Sequence, residues 1–119
     1  MKKLILSIIG SAISYITFAQ APQSFQYQAV VRDNGGVAMP TQNVGFQLSI
    51  ISGSPTGTVE YVETHSAITN TFGVVTLSVG TGTTTDNFLN INWGSATHFL
   101  KVETDLGSGY VEMGTTQLL

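Results

Sequence analysis

The chain contains no cysteine and only three prolines among its 119 residues. Without cysteine no disulfide braces the fold, and no lipid anchor can attach behind an N-terminal leader, so core packing alone must hold the domain together. Cations are nearly as scarce. Beyond Lys2 and Lys3 there remain only Arg32 and Lys101, against Asp33, Glu60, Glu63, Asp86, Glu103, Asp105 and Glu112. Phosphate binding requires a cluster of basic side chains, so this balance excludes nucleic acid as a partner, and with it electrostatic attachment to an anionic membrane. A long apolar run is missing too. Leu4–Phe18 is interrupted by Ser7, Gly10, Ser11 and Ser14, and it falls short of the ~20 residues that a spanning helix needs.

What that N-terminal stretch does fit is an export signal. Lys2 and Lys3 give the positive start and Leu4–Phe18 the apolar region. Thr17-Phe18-Ala19, or Ala19-Gln20-Ala21, supplies the small residues of a cleavage site. Residues 1–19 therefore read as a signal peptide, cut after Ala19 or Ala21, and residues 20–119 as one secreted or cell-surface domain. No stable membrane insertion is expected once the signal is removed.

From Phe25 onward the apolar residues recur with period two, the mark of half-buried strands, and no helical period follows the leader. Phe25, Tyr27, Ala29 and Val31 alternate with polar neighbours until Asp33-Asn34-Gly35-Gly36 ends the run in a turn. Val44, Phe46, Leu48 and Ile50 alternate most cleanly. Further strands are expected over Thr58–Ser66, with Val59 and Tyr61 on one face, and over Val74–Val79, Phe99–Asp105 and Tyr110–Leu119. Phe88, Ile91 and Trp93 sit in a short irregular segment. The spacing predicts an all-β fold, an Ig-like antiparallel β-sandwich of about seven strands. Its expected core is Phe25, Tyr27, Val44, Phe46, Leu48, Ile50, Tyr61, Val75, Leu77, Val79, Phe88, Ile91, Trp93, Leu100, Val102 and Met113.

Candidate chemistry is thin. Glu63 and His65 share a strand face, with His98 as a conceivable third group, but two ligands do not make a zinc site. The pair reads instead as a solvated strand face carrying a Glu–His contact. Asp33, Asp86, Glu103 and Asp105 could supply calcium oxygens only if loops brought them together, and no dense acidic loop occurs. Ser54 and Ser108 sit in glycine-flanked turns that lack the nucleophile-elbow pattern. Gly80-Thr81-Gly82 has neither the lysine nor the helix of a phosphate loop. Trp93 reads as core or core rim, with an exposed sugar-stacking ring as the alternative, and Tyr110 is a second candidate for an exposed aromatic. No catalytic, metal-binding or cofactor-binding residue is assigned.

Five motifs occur in order: Phe25-Gln26-Tyr27-Gln28-Ala29-Val30-Val31-Arg32-Asp33, Thr69-Asn70-Thr71-Phe72-Gly73, Ile91-Asn92-Trp93-Gly94, Leu100-Lys101-Val102-Glu103-Thr104-Asp105, and Met113-Gly114-Thr115-Thr116-Gln117-Leu118-Leu119. Together they resemble the N-terminal β-rich module of secreted, uncharacterised Bacteroidetes-type surface and tail-fibre-like proteins. The resemblance implies a module that follows the signal directly and precedes collagen-like, coiled or fibre-like parts. It carries no catalytic residues to transfer. Such proteins usually continue past Gln-Leu-Leu with a Ser-Val-Pro-Tyr-Ala-like segment, so the chain reads as the front fragment of a longer protein. The expected role is a non-enzymatic structural or adhesive module, without cofactor. The alternative is a carbohydrate-binding module using Trp93 or Tyr110, assisted by calcium. Protein surfaces and surface glycans are the expected partners, together with a homo-oligomer formed through a missing C-terminal region.

Overall fold

The computed structural model describes residues 24–118; the expected signal peptide lies outside them. Six strands form: β1 (Phe25–Val30), β2 (Asn43–Ser52), β3 (Thr58–Ile68), β4 (Val74–Val79), β5 (His98–Asp105) and β6 (Tyr110–Leu118). They build two antiparallel sheets, β1-β4 and β3-β2-β5-β6. Among the described residues the strand count is six rather than about seven; Phe88–Asn90, in the segment expected to be irregular, is a 3₁₀ turn whose Leu89 amide bonds to the Asn87 side chain. Among the described residues no helix is long and apolar enough to cross a membrane.

β2 anchors the larger sheet because its alternation is the cleanest. Val44, Phe46, Leu48 and Ile50 are wholly buried, each contributing about 1.5–3 kcal/mol of gross hydrophobic stabilisation. Tyr61, Leu100 and Val102 extend this inner face, and Val75, Leu77 and Val79 of β4 cover it. Phe25, Tyr27 and Ala29 of β1 pack at its margin, while Phe88 and Ile91 close one end.

One expected strand face and two expected core positions are corrected. The β2–β3 register slips between Ile50 and Ile51, so Ile50 faces Tyr61 while Ile51 faces Val59. A one-residue slip reverses side-chain parity. Val59 therefore leaves the face of Tyr61 and is exposed, and Ile51 is buried. Met113 stands at a comparable irregularity in the β5–β6 ladder and is 41% exposed. Trp93 is 38% exposed and belongs to the rim.

Three turns repeat one device, in which an Asp or Asn carboxyl or amide oxygen accepts from the amides two and four residues on. Asp33 Oδ1 holds Gly35 and Val37, Asn70 Oδ1 holds Phe72 and Val74, and Asp105 Oδ1 holds Gly107 and Gly109. Such side chains mimic the backbone acceptor of a turn. Gly73 must be glycine: its φ is +80° and a Cβ would lie 3.1 Å from Ala38 Cβ and Met39 N.

Candidate functional site

Tyr61, Glu63 and His65 alternate along β3 and therefore share its inner face. Tyr61 is drawn inward by its ring, which packs edge-on against Phe88 at 5.2 Å. Glu63 must follow it inside. The carboxylate is 0% exposed, which corrects the expectation of a solvated face. Burying an unpartnered charge would be prohibitive, and each Glu63 oxygen is in fact partnered. Oε1 accepts from the Tyr61 hydroxyl at 2.6 Å and from the Gly80 amide at 2.7 Å. Oε2 meets His65 Nε2. Burial, with the Glu63 carboxylate beside it, pushes the Tyr61 hydroxyl well above its ordinary pKa, so it remains a neutral donor.

A loop seals the group. Gly80, at φ +107°, turns the chain out of β4. Gly82 then crosses so close that a Cβ would sit 2.6 Å from both His65 Nε2 and the Thr64 carbonyl. Thr64 and Thr83 exchange backbone bonds of 2.9 Å in each direction. Val62 is held on both sides, its amide by Asp86 Oδ2 at 2.9 Å and its carbonyl by the Thr84 hydroxyl at 2.5 Å. The loop thus stitches itself along the outer edge of β3 while its first amide reaches the buried carboxylate. Chemically the cluster is a closed, hydrogen-bonded latch whose edge toward solvent is His65.

The remaining candidates disperse. His98 pairs with Ser52 on β2, whereas His65 pairs with Phe46. Six residues of strand, about 20 Å, separate those positions, so the two histidines do not share a site. His98 Nδ1 donates to the Ala96 carbonyl at 3.0 Å. Its Nε2 lies 3.3 Å from Glu60 Oε2 but outside hydrogen-bond alignment. Glu103 accepts from the Gln47 amide at 3.0 Å, and Asp33, Asp86 and Asp105 are each bound to separate backbone amides. Among the described residues, no three His, Asp or Glu side chains converge as metal ligands would. Ser54 and Ser108 lie in exposed turns.

Trp93 sits on an aromatic rim, 6.5 Å from Phe25, 5.8 Å from Phe88 and 5.0 Å from the His98 ring. Tyr110 is 42% exposed at the start of β6. Separately, Lys101, Glu112 and Thr115 line a shallow groove of about 400 Å³ floored by Ile51 and Val59 under the Pro55–Gly57 loop. Tyr61 was placed in the core from the sequence, but the parity that carries Glu63 inward with it was outweighed by the expectation that a charge stays in water.

Fold and site together define an all-β domain of two antiparallel sheets whose buried polar cluster braces an edge loop. The model of a domain of unknown function (DUF8740) matches residues 26–116, and the chain belongs to that family. No curated protein and no solved structure matches it significantly.

Proposed function

We propose that this chain is a non-enzymatic structural or adhesive module of a secreted or cell-surface protein, built as an Ig-like sandwich. One observation carries the reading: the side chains best suited to chemistry are spent on architecture. Glu63 holds Tyr61, His65 and Gly80, Asp86 holds the β3 edge, and Asp33 and Asp105 hold turns. The strand order β1-β4 and β3-β2-β5-β6 supports the Ig-like assignment. The order resembles that of an immunoglobulin sandwich with one sheet reduced to its two middle strands and one extra strand beside the other sheet. Export is supported by Lys2, Lys3 and the apolar Leu4–Phe18 stretch before Ala19.

The test is localisation together with processing. An epitope-tagged protein should be protease-accessible on intact cells or recovered from the medium, with a mature N-terminus at Gln20 or Pro22. Retention inside the cell with an intact Met1 would refute the reading. A carbohydrate-binding role is the second reading, favoured by the partly exposed ring of Trp93 beside the exposed Asn92. Glycan-array binding that disappears in Trp93→Ala would support it, and a blank array would remove it.

A further inference from the structure

The larger sheet treats its two edges differently. Along β3 the Gly80–Asp86 loop takes up outward backbone groups. β6, at the opposite edge, bonds only to β5, and among the described residues no strand flanks its far side. A bare edge offers rows of N–H and C=O groups, and soluble domains normally blunt it with proline, lysine or a covering element. β6 has no proline or lysine, and Glu112 is the one charge in its nine residues. The bulge at Met113 adds local twist but leaves the edge uncovered. Tyr110, Val111 and Met113 are 42%, 65% and 41% exposed, and sequence neighbours in a strand point to opposite faces. The unpaired backbone row of such an edge is satisfied by another strand in the same plane, not by a layer packed on one face.

The pattern of β6 suits pairing with itself. In an antiparallel pair centred on Gly114 the strand overlaps fully, with Tyr110 opposite Leu118, Val111 opposite Gln117 and Glu112 opposite Thr116. The two Glu112 carboxylates then stand four residues apart along the strand, about 14 Å, beyond the ~8 Å screening length at physiological salt. Parallel pairing would set them face to face, which is destabilising. Nothing lies within 4 Å of where a Gly114 Cβ would be, so the sheet face at Gly114 has room for a substituted side chain.

We propose that β6 is a homotypic docking edge, at which two copies of this chain pair β6 against β6 about Gly114 and join their larger sheets into one eight-stranded sheet. This rests on the structural-module reading and supplies its partner, a second copy of the chain.

Sedimentation velocity of the purified protein across a concentration series should show the mass doubling. Gly114→Lys opposes two lysines at the axis and should raise the dimer Kd about tenfold or more, with the thermal transition of the monomer retained. Gly114→Cys, in a chain with no other cysteine, brings two Cα atoms to about 4.5–5.5 Å, within disulfide reach. It should oxidise to a covalent dimer far faster than Thr76→Cys, placed at an exposed position on β4. A protein monomeric at every concentration, or a dimer indifferent to Gly114→Lys and not captured through Gly114→Cys, overturns the proposal. If that monomer is still exported to the surface, the structural-module reading stands and only the docking edge falls.

Discussion

Removing the Glu63 carboxylate should cost far more than removing one hydrogen bond. In Glu63→Ala the Tyr61 hydroxyl, the Gly80 amide and the His65 ring lose their shared acceptor at a fully buried position. A stranded buried polar group costs about 1–3 kcal/mol, and more when the partner it loses was a charged carboxylate. Because the three partners relax together, their losses do not add, and a total of ~3–5 kcal/mol is expected. That is a large part of the ~5–15 kcal/mol that holds a typical domain. Urea titration followed by circular dichroism should show the midpoint falling at unchanged m-value. The thermal midpoint should drop by at least about 12 °C. The decisive comparison is the triple variant Tyr61→Phe/Glu63→Leu/His65→Leu, which removes the stranded groups except the Gly80 amide. Its expected cost is only about 1–3 kcal/mol. Two results would refute the reasoning: a Glu63→Ala loss below about 1 kcal/mol, or a triple variant as unstable as the single one.

Gly82→Ala should force the covering loop off β3, since its Cβ would meet the Thr64 carbonyl at 2.6 Å. A loss of ~1–3 kcal/mol is expected, with faster amide exchange at Val62 and Thr64; unchanged exchange at both would count against the loop's role. Asn70→Ala deletes the acceptor of the Phe72 and Val74 amides in an exposed turn and should cost about 1–2 kcal/mol by thermal melts, whereas Asn70→Asp should cost little. Alkaline pH provides a further check. Tyr61 ionises later in the folded than in the unfolded chain, so above about pH 10 the unfolded state binds fewer protons. Its contribution is fully present below that pH, and stability then falls by at most ~1.4 kcal/mol per pH unit. Tyr61→Phe should flatten that decline, and an unaltered slope would contradict it.

The larger features of the fold were legible because they depend on local pattern. Val44, Phe46, Leu48 and Ile50 declare an inward face without help from any neighbour, and Asp33-Asn34-Gly35-Gly36 declares a turn. Features that depend on register were not. Nothing around Ile50 and Ile51 announces the slip that exposes Val59, because a bulge is decided by how two strands fit and not by either alone. The latch lay between these cases. Parity with Tyr61 was readable and carried Glu63 inside, but the compensating partner at Gly80 comes from a loop 17 residues away in sequence. Without that partner in view, burial of the carboxylate looked prohibitive. The Gly80–Asp86 loop was legible only as polar and turn-rich, and its fit against the β3 edge is purely a tertiary fact.

The aromatic rim gives the molecule an optical property. Trp93 is the only tryptophan in the chain, and it touches Phe25, the first residue of the smaller sheet, as well as Phe88 and His98. Its emission therefore reports how the two sheets meet at one end of the core, and loosening of β1 should wet the indole and shift its spectrum. A single tryptophan placed at that seam, excited selectively over the tyrosines, lets peeling of one layer be followed separately from global unfolding, with no label attached.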